Sequence, residues 1–232
     1  MLRCDGLDIR QDDFRLQADC AFAAGEVTAL IGPSGAGKST LLSTIAGFFA
    51  AQAGRILWDG RDISADAPSD RPVSILFQDN NLFPHLTLTQ NLGLALAPRL
   101  RLSREEAGRV EEALASVGLA GFGGRRPAEV SGGQQSRAAL ARVLLADRPV
   151  VLLDEPFAAL GPRLRDEMLD LLRARIAAPG RVVLLVTHGP RDAERIADAV
   201  ALVADGRVEA PVPTARLFSD PPDALRRYLS DR

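Results

Sequence analysis

Two short stretches of the sequence hold residues whose types and spacing suit phosphate chemistry. The first, GPSGAGKST, covers Gly32–Thr40 and fits the pattern G-x-x-x-x-G-K-[S/T]. Glycines let backbone N–H groups converge on phosphate oxygens, and the helix expected to follow adds partial positive charge. Lys38 is expected to pair with the β- and γ-phosphates of a nucleotide, and the Ser39 hydroxyl is expected to bind Mg²⁺. The candidate binding residues are Gly32, Pro33, Ser34, Gly35, Ala36, Gly37, Lys38, Ser39 and Thr40.

The second stretch, VVLLDEP, covers Val150–Pro156 and brings two adjacent carboxylates to the end of an apolar run. In phosphate-binding folds of this type, a carboxylate at the end of a neighbouring strand completes the Mg²⁺ coordination. Asp154 suits that role. Glu155 follows directly, and a carboxylate there can polarise a water that attacks the terminal phosphate. The pair predicts nucleotide hydrolysis, with Glu155 as the candidate general base.

A third stretch, EVSGGQQSRAALAR, covers Glu129–Arg142 and predicts a second helix start that could bind an anion. One nucleoside triphosphate has one γ-phosphate, which the first loop already holds. A second site makes sense if it serves a nucleotide held by another copy of the chain. The candidate residues of this second site are Ser131, Gly132, Gly133 and Gln134.

These motifs and their order resemble the ATP-binding subunits of ABC transporters, since Ser131 follows Lys38 by 93 residues and precedes Val150 by 19. The resemblance implies ATP and Mg²⁺ as cofactors, and a dimer in which Ser131–Gln134 of one copy closes on the ATP of the other. It also implies that Gln78 contacts Mg²⁺ and the attacking water, and that His188 bonds the γ-phosphate. The implied catalytic residues are Glu155, His188 and Gln78, and the implied metal ligands are Ser39, Gln78 and Asp154.

The sequence departs from the family pattern at two places. The family usually stacks adenine on an aromatic residue upstream of the phosphate loop, and here Phe14 is the nearest aromatic residue, in a pattern that also suits a core position. The family usually places an aspartate that couples the two sites of the dimer where this chain has Gly161. The second departure predicts active sites that are less tightly coupled.

Alternating strand and helix patterns supply the elements that must position these residues. Apolar residues alternate from Phe14 to Phe22, which predicts a half-buried strand. Four short apolar runs predict buried strands, and Asp59-Gly60 predicts a hairpin turn. The predicted buried strands are Glu26–Gly32, Arg71–Gln78, Val150–Asp154 and Val182–Thr187.

Helices are predicted between these strands. Ser103 with Glu106 forms a capping-box pattern, a further helix should run from Ser131 to about Ala146, and Pro162 should open another. Strands that alternate with helices predict an α/β fold with a mainly parallel core sheet. The expected fold is a P-loop ABC-type nucleotide-binding domain over residues 1–232, with an antiparallel β subdomain and a helical subdomain inserted at about 80–146.

Composition excludes several classes of protein. The formal net charge of −2 provides no general attraction for nucleic acid. The apolar runs are far shorter than the ~20 residues of a membrane-spanning helix, and the charged start does not fit a secretory signal. Cys4 and Cys20 are too few for a disulfide framework or a zinc site, so they are expected to be buried residues of a cytoplasmic protein.

Within the family, the absence of fused membrane helices suits a separately encoded importer subunit at the cytoplasmic face of the bacterial inner membrane. Its expected partners are a second copy, transmembrane permease subunits and, indirectly, a periplasmic solute-binding protein. The segment Arg71–Leu96 is similar to that of thiamine importers, which implies thiamine, with molybdate, iron or polyamine as alternative solutes. A non-transport ABC ATPase and a P-loop kinase for small molecules are the other classes, and Ser131–Gln134 argues against the kinase.

Overall fold

The computed structural model describes residues 1–158, 160–176, 180–219, 221–222 and 225–226. The chain divides into two compact units. The first comprises Met1–Ile75, Pro149–Asp154 and Ala177–Arg232, and the second comprises Leu76–Arg148 and Glu155–Ile176.

The strands form one eleven-stranded sheet among the described residues. In chain order they are β1 Leu2–Gln11, β2 Phe14–Phe22, β3 Val27–Ile31, β4 Ala53–Trp58, β5 Arg61–Asp62, β6 Val73–Leu76, β7 Val150–Asp154, β8 Val182–Val186, β9 Ala199–Ala204, β10 Arg207–Val208 and β11 Val212–Pro213. Their spatial order is β5-β4-β1-β2-β10-β9-β3-β8-β7-β6, and β11 pairs with β9.

One part of this sheet is antiparallel and the other is mainly parallel. β1 pairs antiparallel with both β2 and β4, and β4 turns into β5 through Asp59 and Gly60, which both have positive φ. Strands β9, β3, β8 and β7 run parallel to one another. Every residue of β3, β7 and β8 is buried, as expected for central strands of a parallel sheet. The antiparallel β portion and the parallel core that the sequence predicts are both present.

The helices are α1 Lys38–Ala46, α2 Leu88–Gly93, α3 Arg104–Ser116, α4 Gly132–Leu145, α5 Pro162–Ile176, α6 Pro190–Ile196 and α7 Thr214–Ser219. The first unit holds α1, α6 and α7, and α1 packs on β7 and β8. The second unit holds α2–α5, and α2, α3 and α4 share a core of leucine, valine and alanine side chains. No helix among the described residues is long and apolar enough to cross a membrane.

Most predicted elements agree with the structure to within two residues, and Ser103 and Glu106 form the predicted capping box at the start of α3. Cys4 and Cys20 lie opposite each other on β1 and β2, and both are buried free thiols, as predicted. One strand boundary was wrong. β6 ends at Leu76, so Gln78 does not end the strand but lies beyond it, in a turn in which Asn80 N donates to Phe77 O.

Candidate functional site

The phosphate loop connects β3 to α1 in the first unit. Gly37, with a φ of 99°, occupies the N-cap position of α1 and supplies no side-chain hydrogen bond to the first turn. The Lys38 side chain folds back across the loop, where Nζ donates to Gly32 O at 2.8 Å and to Pro33 O at 2.7 Å. Lys38 is 5% exposed. The loop therefore holds its ammonium group in place beside a helix N-terminus, an arrangement suited to a phosphate chain.

Two glycines of the loop are required by close neighbours. A Cβ at position 32 would lie 1.9 Å from Val203 O on β9, so any side chain there would displace the sheet. A Cβ at position 37 would lie 2.4 Å from Cζ of Phe14. The ring of Phe14 is half-buried and packs against the main core cluster of the first unit. The Phe14 ring thus packs directly against the phosphate loop at Gly37.

Three neighbouring parallel strands bring Asp154 and His188 to the same sheet edge as this loop. β8 lies between β3 and β7, and its Val186 is paired with Leu30 on one side and with Asp154 on the other. Gly32 follows Leu30 by two positions, and His188 follows Val186 by two positions. Since neighbouring strands are ~4.8 Å apart, Asp154 lies about 10 Å across the sheet from Leu30.

The side-chain oxygen atoms at this edge are suitable ligands for a magnesium ion. Asp154 is the last residue of β7 and is 4% exposed, and Ser39 is an exposed residue in the first turn of α1. Mg²⁺ prefers oxygen ligands and usually takes one or two from the protein, with the rest from phosphates and water. One carboxylate and one hydroxyl beside a phosphate loop satisfy that requirement.

A buried hydrogen bond fixes the loop that carries His188. Thr187 Oγ1 donates to Asp192 Oδ2 at 2.7 Å and accepts from Gly189 N at 3.0 Å. Thr187 and Asp192 are almost fully buried, whereas His188 between them is half-exposed. The loop is therefore rigid around an accessible imidazole. Sequence reasoning missed the Thr187–Asp192 pair, whose only signal is a threonine five residues before an aspartate.

Arg71 fixes the far end of α1. Its guanidinium donates to Thr44 O and Ile45 O in the last turn of the helix, and to Ser64 O and Asp66 O in the segment that follows β5. Arg71 is 3% exposed, and this burial lowers its pKa. A cation at the C-terminal carbonyls is favoured by the helix dipole. The helix that carries the phosphate loop is thus anchored at the end remote from the loop.

In the second unit, Glu155 has an unusual backbone conformation. Its φ is 47°, in the left-handed region that residues other than glycine adopt rarely. Glu155 O accepts from Ala158 N at 3.2 Å, which closes a tight turn directly after β7. Such a conformation costs about 1 kcal/mol or more and is often retained where a side chain must be aimed. No sequence pattern predicted it.

The predicted second anion site begins α4. Ser131 is the N-cap, its Oγ accepts from Gln134 N at 3.3 Å, and Gln134 Oε1 accepts from Ser131 N at 2.9 Å. A Cβ at Gly132 would have no neighbour within 4 Å, whereas one at Gly133 would lie 3.1 Å from Leu160. The fold of the chain therefore leaves room for a side chain at position 132.

Structure brings the predicted residues into two groups. Gly32–Thr40, Asp154 and His188 share one sheet edge in the first unit, and Gln78, Glu155 and Ser131–Gln134 lie in the second unit. The chemical roles of these residues stay predictions. One further signal was available in the sequence: Lys38 is the single lysine among 232 residues, in a chain that uses arginine at every other basic position.

Comparison with known proteins agrees with this geometry. The model of the ABC transporter family matches residues 17–158. Proteins named thiamine import ATP-binding protein from Cereibacter sphaeroides and from Ruegeria sp. are 61% and 56% identical to this chain, each over 99% of both sequences. A third protein of that name, from Jannaschia sp., is 48% identical over 99% of this chain and 100% of its own length.

Solved structures agree in fold. Two dimeric structures of the ATP-binding cassette MJ0796, one of them a post-hydrolysis state bound to ADP and Pi, have TM-scores of 0.81 and 0.82. Both are 28% identical in sequence and cover 92% of this chain and 99% of their own. The predicted fold class is confirmed, and the chain belongs to the ABC transporter family as one of its nucleotide-binding ATPase domains.

Proposed function

We propose that this chain is the ATP-hydrolysing subunit of a bacterial importer for thiamine. The observation that carries the proposal is the 61% identity, over 99% of both sequences, to a relative named for thiamine import. The aligned region spans the segment Arg71–Leu96, which in the second unit covers the turn around Gln78 and helix α2. Molybdate, iron and polyamine remain the alternative solutes, and uptake experiments distinguish them.

Residues of the first unit hold the nucleotide. Lys38, which lies across the phosphate loop, pairs with the β- and γ-phosphates, while the N-terminus of α1 contributes backbone N–H groups. Ser39 and Asp154 would hold Mg²⁺, which when bound neutralises developing charge on the phosphate oxygens. Gln78 is the third predicted ligand.

Glu155, Gln78 and His188 perform the hydrolysis. The Glu155 carboxylate orients a water and accepts its proton as the water oxygen attacks the γ-phosphorus. The bond from that phosphorus to the bridging oxygen of the β-phosphate breaks, and ADP leaves. Gln78 orients the same water through its amide, and the His188 imidazole donates a hydrogen bond to the γ-phosphate. The rigid loop around Thr187 and Asp192 keeps His188 in place during the reaction.

Two copies of the chain form the active dimer, and Ser131–Gln134 of each contacts the nucleotide of the other. Gly132 supports this assignment. It is the first residue of α4, and a Cβ there would meet no described atom of this chain within 4 Å, so the packing of the described residues does not require glycine. A group from outside the chain that approaches this turn closely explains the glycine.

The chain acts as one ATPase domain, attached to the cytoplasmic face of the inner membrane through permease subunits. ATP-driven closure of the dimer moves the exposed segment around Phe83 and His85, and the permease follows. A periplasmic solute-binding protein delivers thiamine from the other side. This arrangement accounts for a subunit that energises transport without contacting the solute.

Replacement of Glu155 by glutamine tests the function. Glu155→Gln keeps the size of the side chain but removes the base, so we expect ATP hydrolysis to fall about 100-fold or more and an ATP-dependent dimer to accumulate in size-exclusion chromatography. The Lys38→Ala, Glu155→Gln double variant is the control, because it should remain monomeric at the same ATP concentration. A Glu155→Gln variant that hydrolyses ATP at the wild-type rate contradicts the proposal.

A second experiment tests the solute. The chain is co-expressed with candidate permease subunits, and uptake of radiolabelled thiamine is compared with uptake of molybdate, iron and spermidine. We expect thiamine uptake that is lost with Glu155→Gln. Uptake of another solute by the same complex would keep the importer assignment and reject thiamine.

A further inference from the structure

Arg142 contacts the segment that follows Gln78. It lies in the last turn of α4, and its Nη1 donates to Asn81 O at 2.8 Å while Nη2 donates to Asn80 O at 3.4 Å. Burial lowers the pKa of its guanidinium, and hydrogen bonds from a charged donor are stronger than neutral ones. One side chain of α4 therefore binds two consecutive carbonyls of this segment.

The carbonyls belong to a strained backbone. Asn80 and Asn81 have φ values of 60° and 47°, two successive left-handed residues, a conformation that asparagine tolerates better than most residues but that still costs energy. The turn is closed by Asn80 N to Phe77 O at 3.0 Å and Asn81 N to Asp79 O at 2.7 Å. Arg142 stabilises the conformation in which both carbonyls face it.

The next part of the segment is fixed by Asn91. This fully buried side chain accepts from Phe83 N at 2.7 Å and donates to Phe83 O, Leu86 O and Thr87 O. The chain from Asn80 to Thr87 is thus held at two places, by Arg142 from α4 and by Asn91 from α2. Gln78 lies two residues before the first of these places.

Helix α4 joins this anchor to the Ser131–Gln134 turn. The helix has 14 residues, which makes it about 21 Å long, and it packs against α2 and α3 in the core of the second unit. Ser131 caps one end, and Arg142 lies three turns away at the other. A helix packed in this way moves as a rigid body.

We propose that Arg142 is a positioning residue that ties the segment after Gln78 to the helix that carries Ser131–Gln134. A displacement of that segment is then transmitted through α4 to the turn that meets the partner's nucleotide, and Gln78 is kept in register with it. This inference deepens the function proposed above and rests on it.

Arg137 provides a matched comparison on the same helix. Its Nη1 donates to Val117 O at 2.9 Å and Gly118 O at 3.4 Å, so it also binds two consecutive carbonyls, but at the C-terminal end of α3. Loss of either arginine removes the same kind of contact from the same helix. Only loss of Arg142 releases the segment after Gln78.

The experiment compares Arg142→Gln, Arg142→Lys and Arg137→Gln in the full-length chain. We expect Arg142→Gln to lower kcat about tenfold, since misplacement of catalytic groups by ~1 Å can cost up to 10²-fold. The KM for MgATP should stay within about twofold, because Lys38 and its loop are unchanged. Arg142→Lys should recover part of kcat, because an ammonium can reach one carbonyl but lacks the planar fork for two.

Arg137→Gln should lower the thermal midpoint about as much as Arg142→Gln while kcat stays within about twofold of the wild type. Hydrogen exchange of amides 79–83 should accelerate in Arg142→Gln alone. An unchanged kcat in Arg142→Gln, an equal loss in Arg137→Gln, or a KM that rises with the loss of kcat would each overturn the inference.

Failure of the proposed function looks different. If the wild-type chain hydrolyses no ATP, the function fails, and the exchange rates still decide the role of Arg142. Faster exchange confined to residues 79–83 in Arg142→Gln supports its hold on this segment, and unchanged exchange rejects it.

Discussion

Helix α1 begins in a different way from helices α2, α3 and α4. α1 follows a left-handed glycine and has no side-chain cap. Helices α2, α3 and α4 of the second unit each begin with a reciprocal capping box, in which two side chains satisfy orphan backbone groups. The capping pairs are Thr87 with Gln90, Ser103 with Glu106 and Ser131 with Gln134.

The difference separates a helix start that is suited to a ligand from helix starts that are stabilised by their own side chains. An uncapped start leaves its positive end available for an anion from outside the chain. α4 has features of both kinds of helix start. Ser131 caps it, as in α2 and α3, while Gly132 keeps the first turn narrow. The capping hydrogen bonds at its start are therefore made within one chain, and the first turn can still be approached closely by another chain.

Among the variants that test this comparison, removal of Lys38 should have the largest effect, and that effect is on ATP affinity. Lys38→Ala deletes the ammonium group that lies across the loop, so we expect ATP affinity to fall about 10³-fold, or ~4 kcal/mol. Titration with a fluorescent ATP analogue measures it. Because Lys38 is the single lysine, an amine-selective reagent should modify only this residue and the N-terminus, with ATP protecting Lys38.

The control for Lys38 is Arg163→Ala, which removes a positive charge that is 94% exposed on α5 and should leave ATP affinity unchanged. Equal affinity of Lys38→Ala and the wild type would mean that the uncapped start of α1 is not the nucleotide site.

Removal of Arg71 should have the next largest effect. Because α1 has no side-chain cap at its start, its stability depends on the contacts at its C-terminal end. Arg71→Ala removes donors to four carbonyls, two of them in the last turn of α1. We expect the free energy of unfolding to fall by roughly 3 kcal/mol. Urea denaturation measures it, with the exposed Arg61→Ala as the control. A loss no larger than that of Arg61→Ala would show that α1 is stabilised elsewhere.

Gly132→Ala should separate function from stability. A Cβ has room there within the chain, and alanine improves a helix by up to about 1 kcal/mol. We expect a higher thermal midpoint together with a kcat about tenfold lower, which corresponds to ~1.4 kcal/mol, because the Cβ obstructs the partner's nucleotide.

The matched control for Gly132 is Gly108→Ala in the middle of α3, where a Cβ also lies more than 4 Å from every described neighbour. That variant should be stabilised with no change in ATPase rate. If both alanines leave the rate unchanged, the first turn of α4 does not approach another molecule closely.

How far the sequence predicts this molecule depends on the range of the interactions involved. Short apolar runs predicted β3, β7 and β8, and the Ser103–Glu106 spacing predicted the start of α3. These elements are specified by residues close to one another in sequence. β1 was missed, since its pattern is interrupted by a bulge between Cys4 and Leu7 at which Gly6 has positive φ.

The parts of the site that were missed depend on backbone angles or on distant partners. No local pattern places Glu155 in the left-handed region or ends β6 two residues before Gln78. The anchoring of α1 by Arg71 joins residues 26 and 27 positions apart in the chain. Such contacts exist only after the chain has folded, so composition and periodicity carry no record of them.

Gly161→Asp should have the smallest effect and tests a helix start of a third kind. Gly161 directly precedes α5, its carbonyl accepts from Arg165 N at 2.9 Å, and a Cβ there has no neighbour among the described residues within 4 Å. Aspartate at an N-cap stabilises a helix more than glycine by a few tenths of a kcal/mol, so the thermal midpoint should rise about 1 °C.

If the missing carboxylate weakens coupling between the two sites of the dimer, the dependence of ATPase rate on MgATP should also become steeper in Gly161→Asp. Gly161→Asn caps equally well without the charge, so a Hill coefficient that rises in Gly161→Asp alone assigns the coupling to the carboxylate. Equal Hill coefficients in the wild type and both variants would show that this position acts only as a cap.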